Sequence, residues 1–92
     1  MNNNKLFVYV EGFAGNGFED AGVEIHVTKM FVNKADAIAY SLMRVAGICE
    51  SSEEVVDYKR IEENFNGLIN TDTGHWELVP ESTIFGLVKE LS

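Results

Sequence analysis

The side chains able to serve as nucleophile, base or metal ligand are few: one cysteine, Cys49, and two histidines, His26 and His75. They are widely separated, not at the short spacings by which a helix or turn delivers ligands to zinc. Cys49 follows Leu42 and Val45 on an apolar helical stripe, the setting of a small core residue, and nothing beside it in sequence marks an activated thiolate. An enzyme reading would use His75 with Asp72 or with Cys49, and it has only these residue types in its favour. Carboxylates are plentiful, but glycoside chemistry also needs a substrate cleft that a chain of 92 residues rarely encloses. The expectation is a protein with no catalytic set, no metal and no cofactor.

The tripeptide Asp72-Thr73-Gly74 is similar to the signature of retroviral-type aspartic proteases. In that family it follows an apolar strand near the N-terminus and precedes a long flap-bearing segment. Here Asn70-Thr71 come before it and eighteen residues after it, and Asp, Thr and Gly are the residues a turn uses. The glycines at Gly12-x-x-Gly15-x-Gly17 depart from Gly-x-Gly-x-x-Gly and lead to a strand. A phosphate cradle needs backbone N–H groups converging at a helix N-terminus, and Glu19 and Asp20 would repel the anion. This stretch reads as a turn or a partner contact.

Acid is concentrated at residues 50–65, where Glu50, Glu53, Glu54, Asp57, Glu62 and Glu63 stand against only Lys59 and Arg60. On a helix, residues four apart rise about 6 Å. Glu50 with Glu54 and Glu53 with Asp57 would then set carboxylates at about the spacing of phosphates along a nucleic-acid strand. Like charges so placed cost helix stability. The leading reading is therefore a small non-enzymatic inhibitor whose acidic surface mimics nucleic acid and occupies the basic groove of a nucleic-acid-binding protein, as an anti-defence protein of a phage, an anti-CRISPR for example, would do. Glu19 and Asp20 form a second patch, and Tyr58 is the nearest aromatic anchor. The alternative is a small-molecule or nucleotide-binding module built from the glycine-rich loop and a face bearing Phe7, Tyr9 and His26. The plain reading of the acids is a solvated helix face.

Composition narrows the classes. A formal charge of −8 argues against direct binding to nucleic acid or an anionic membrane. The charge is uneven: residues 1–46 carry five acids and four bases, whereas 47–92 carry ten acids and three bases. A single cysteine cannot form an internal disulfide, which suits a reducing, cytoplasmic setting. The polar start Met1-Asn2-Asn3-Asn4-Lys5 lacks a signal-peptide pattern, so a complete cytosolic chain is expected, and no apolar run approaches membrane-spanning length.

The elements that must position these groups make one domain, residues 1–92, of α+β class: an antiparallel sheet of about four strands packed by two or three helices. Alternation marks strands at 5–11 and 23–28, with Val23, Ile25 and Val27 facing one way and Glu24, His26 and Thr28 the other. Asn33 caps a helix carrying Ile38, Leu42, Val45 and Cys49 beside Ala35, Ala39 and Ala46, ending at Gly47. Ser51 and Glu54 suggest a capping box for a second helix over 52–65, with an edge strand as the rival because Asn66-Gly67 is also a hairpin signal. This second helix would cover Phe7 and Tyr9. Residues 68–71 and 75–79 flank the Asp72-Thr73-Gly74 turn with Trp76 and Leu78 inward. Pro80 opens a final helix through Ile84, Leu87, Val88 and Leu91.

Overall fold

A computed structural model describes residues 5–14, 23–49, 55–79 and 83–91. The alternation of Phe7, Tyr9 and Glu11 with Val8 and Val10 gives β1, Phe7–Ala14, two different faces. It pairs with β2, Val23–Phe31, on one side and with β5, Thr83–Glu90, on the other. The hairpin of β3, Leu68–Ile69, and β4, Trp76–Leu78, adds to β5. The result is an antiparallel sheet of five strands, ordered β2-β1-β5-β4-β3. The helices are α1, Lys34–Ile48, and the short α2, Tyr58–Asn64. The expected α+β architecture forms, with one strand more than about four.

That extra strand corrects the reading of the C-terminal segment. Ile84, Leu87, Val88 and Leu91 satisfy a helical stripe, but a continuous apolar run satisfies a strand equally well. Residues 83–90 run between β1 and β4, with Ile84, Gly86 and Val88 on one face and Phe85, Leu87 and Lys89 on the other. Two partner strands offer this segment backbone hydrogen bonds along both edges, which a helix at the rim would not have.

α1 forms where expected because Asn33 caps it: its Oδ1 accepts the N–H of Ala35 at 2.8 Å and of Asp36 at 3.4 Å. The helix runs past Gly47, the expected end, to a C-cap at Cys49. Its innermost residues are Ala37, Ser41, Val45 and Ala46, while Ala35 and Ala39 are exposed. α2 covers only part of 52–65; the Ser51–Glu54 capping box lies outside the described residues, and the observed cap is Asp57. Asn66, in the left-handed region at φ 49°, and Gly67, whose N–H reaches the Glu62 carbonyl at 2.8 Å, end this helix instead of turning a hairpin.

The core lies between the helices and one sheet face, where Val45, Ile61, Ile69, Trp76 and Leu78 are buried together. Trp76 lies flat over Gly86 of β5, where any Cβ would run into the indole. Asp72-Thr73-Gly74 is a turn: the Asn70 side chain accepts from the N–H of Asp72 and Thr73, and Gly74 at φ 80° brings its carbonyl to the Ser41 hydroxyl on α1. Gly86→Ala is expected to lower unfolding stability by about 1–3 kcal/mol through overpacking against Trp76. A shift of the urea midpoint with unchanged slope checks this.

Candidate functional site

Glu11 is the one buried carboxylate among the described residues. The β1 alternation sets it beside Tyr9 on the face that α1 covers. Tyr40 of α1 meets Tyr9 edge-on, with ring centroids 5.3 Å apart, and one turn later α1 delivers Arg44 over Glu11. Arg44 Nε donates to Glu11 Oε1 and Nη2 to Oε2, each at 2.8 Å, and the Tyr9 hydroxyl donates to Oε1 at 2.7 Å. Burial by itself would raise the Glu11 pKa, but the hydrogen bonds from Arg44 and Tyr9 outweigh it and hold the carboxyl below its ordinary range. Burial, with the Glu11 carboxylate adding to it, pushes the Tyr9 phenol far up, so it remains a donor.

Beyond Glu11 the β1–β2 register slips. Val27 faces Glu11 and Ile25 faces Gly12, which leaves His26 as the extra residue of a bulge. Gly12 is required there, since a Cβ would strike the Glu24 carbonyl. The slip undoes the expected Val23, Ile25, Val27 face, because Val27 joins Glu11 on the α1 side. His26 meets Phe13 edge to face, ring centroids 4.5 Å apart. Glu11, Gly12, Phe13, His26, Val27, Arg44 and Ile84 line a cleft of about 280 Å³. At the cleft Phe13 is 37% exposed with His26 packed on its ring, and the Arg44 side chain is 34% exposed with its guanidinium engaged by Glu11.

The residues singled out from the sequence are dispersed. Glu19, Asp20, Glu50, Glu53 and Glu54 lie outside the described residues. Asp57 precedes α2 and caps it, accepting the Arg60 N–H at 3.1 Å, so it is a cap and not part of a helix face. Glu62 accepts the Ile69 N–H at 2.7 Å and ties α2 to β3; Glu63 is exposed. Tyr58 packs half-buried against the core. Phe7 and Tyr9 are buried beneath α1, not α2, whereas His26 and Gly12 do meet at the cleft. His75 sits 3.1 Å from Glu77, Asp72 is exposed in its turn, and burial raises the Cys49 thiol pKa. Glu11, Arg44 and Phe13 were missed. Their signal was an acid sharing a strand face with Phe7 and Tyr9, and a base one turn after Tyr40 on the helix that covers them.

Charge has its own geography. Ala14 pairs with both Val23 and Thr83, and α1, running from Tyr9 toward Glu11, points its C-terminus at this same end of the sheet. The chain therefore leaves the described fold at Ala14, at Cys49 and at Val79 near one end. Segments 15–22, 50–54 and 80–82 hold six acids, Glu81 among them, and no Lys or Arg. The described residues carry the other nine acids and all seven bases, a net −2 of the total −8.

Arg44→Met removes the partner of Glu11 and is expected to cost about 1–3 kcal/mol at neutral pH, since Arg44 is partly exposed. The sign with pH is also set. In the wild type the depressed Glu11 pKa stabilises above the unfolded value, and that gain is lost as pH falls through the folded value. In the variant burial prevails, the folded pKa rises, and stability from this group is lost as pH increases. Urea titrations of both proteins between pH 3 and pH 7, about the carboxylate range, with Glu11→Gln as control, check it. Compared with protein-family models, curated proteins and solved structures, the chain matches none.

Proposed function

We propose that this chain is a small, non-enzymatic cytoplasmic binding protein that docks its acidic end onto the basic, nucleic-acid-binding surface of a partner protein. The supporting observation is the tethering of three base-free segments with six acids to one end of the sheet. Carboxylates gathered there act on a partner as phosphates do, steering encounter from a distance and competing for the same Lys and Arg side chains. A guided nuclease or a restriction enzyme is the class of target that fits.

The acids of the contact are Glu19, Asp20, Glu50, Glu53, Glu54 and Glu81, with Glu63 of α2 at the margin. Asp57 and Glu62 serve the fold through their backbone bonds, and their replacement costs stability before it costs binding. Wild-type protein, and a variant with those six acids changed to Gln or Asn, are used for capture from nuclease-treated bacterial lysate at low and high salt. The wild type is expected to retain nucleic-acid-binding proteins at low salt that the variant and high salt release. Equal capture by the two proteins overturns the proposal.

The cleft favours a second reading, a module for a small planar ligand stacked on Phe13 beside Arg44. Such a ligand would raise the melting temperature in proportion to the logarithm of its concentration, and Phe13→Ala would abolish the rise. A flat response across nucleotides and aromatic metabolites counts against it.

A further inference from the structure

The sheet has a second face, and no described helix crosses it. Because Tyr9, Glu11 and Val88 point toward α1, the alternate residues point away. They are Val8 and Val10 of β1, Phe85 and Leu87 of β5, and Met30 of β2, flanked by Leu6, Ile25, Leu68 and Leu91. Met30, Ile25, Leu68 and Leu91 are each about half exposed, at 50%, 51%, 51% and 50%, whereas at the centre Val10, Phe85 and Leu87 are half-buried and Val8 is buried. The ionisable groups on this face are Lys89 of β5 and, at β4, Glu77 with His75 3.1 Å from it. Among the described residues no other element covers this apolar surface, and contiguous apolar patches of this kind mark interaction sites.

We propose that this face is covered by the same face of a second copy, about a two-fold axis lying in the plane between the two sheets and crossing the strands at the Val10–Leu87 pair. The register supplies the argument. Lys89 stands level with Val8, and Glu77 stands level with Phe85 and Gly12; these levels are two residues to either side of Val10–Leu87. Rotation about that axis carries Lys89 of each copy over Phe85 of the other, one strand away from its Glu77. The face is thus complementary to itself, apolar at the axis and oppositely charged at two symmetric points.

The three strands of eight and nine residues make a strip of roughly 27 by 14 Å at about 3.4 Å per residue and 4.8 Å per strand, with the two- and three-residue strands of the β3–β4 hairpin beside it. This footprint is below the roughly 800 Å² per partner of a standard interface, so association is expected toward the upper end of a concentration series, with the sheets stacked about 10 Å apart. The free edge of β2 is a poorer surface, interrupted by the bulge at His26 and by Lys29, devices that protect an edge.

Sedimentation equilibrium of the intact chain across a concentration series tests the assembly. The wild type is expected at twice its 10.3 kDa mass, whereas Leu87→Glu, which sets like charges together at the axis, is expected to weaken association at least about tenfold. Leu87 faces away from the core, and an unchanged circular dichroism spectrum shows that the variant folds. Lys89→Glu alone should also weaken the dimer, and Lys89→Glu with Glu77→Lys should restore it, a rescue that no unrelated partner would produce. A wild type that is monomeric throughout, a Leu87→Glu protein that still dimerises, or a charge exchange without rescue overturns the proposal. None of these readings depends on the acidic end or its partner.

Discussion

Glu11 can lie beneath α1 only while Arg44 stands over it, and this requirement fixes how the helix sits on the sheet. A carboxylate there without a partner would bear the full cost of desolvation. The two-pronged Arg44 contact and the Tyr9 hydroxyl engage both of its oxygens. Apolar residues of the same volume would give comparable stability; what the ion pair contributes is position. Sliding or rotating α1 by one residue would carry the guanidinium off the carboxylate, whereas Ala37, Ser41 and Val45 alone would tolerate several placements. With α1 so fixed, Ser41 reaches the Gly74 carbonyl, Tyr40 fills the gap between Tyr9 and Phe31, and Val45 closes over Trp76.

How far the sequence reveals this fold depends on whether each element is decided locally. α1 can be read directly, because Asn33 and the small-residue stripe act within the segment itself. The Asn70–Gly74 turn and the inward Trp76 and Leu78 can be read for the same reason. β5 cannot, because Ile84, Leu87, Val88 and Leu91 fit a helix as well as a strand, and only the free edges of β1 and β4, distant in sequence, decide. The bulge at His26 is equally hidden: it arises from the approach of the Glu24 carbonyl to Gly12, which no alternation of residue types reports. The cleft follows from that bulge, so its lining of Phe13, His26 and Arg44 comes from three separate elements. Acidic residues were easy to list, but Asp57 and Glu62 show that a carboxylate in an acidic run can be occupied by a nearby backbone N–H.

The molecule keeps its charge and its apolar surface apart. Three base-free segments holding six acids join the described fold near its Ala14 end, and the described face turned from α1 carries little charge. A strongly acidic chain that distributed its carboxylates evenly would be soluble but would present no direction to a partner. Here the base-free segments join at one end of the strands, while the apolar face runs along their length.

β1 lies between β2 and β5, so its two neighbours come from nearby and from far along the chain. The β1–β2 ribbon forms from adjacent sequence, but the other edge of β1 waits for residues 69 to 83 positions downstream. During synthesis the ribbon therefore emerges with an unpaired hydrogen-bonding edge and two apolar faces, and α1 can cover only one of them. Closure of such a distant pairing is slow relative to local hairpins and helices. The interval before β5 arrives is when this chain is most exposed to mispairing.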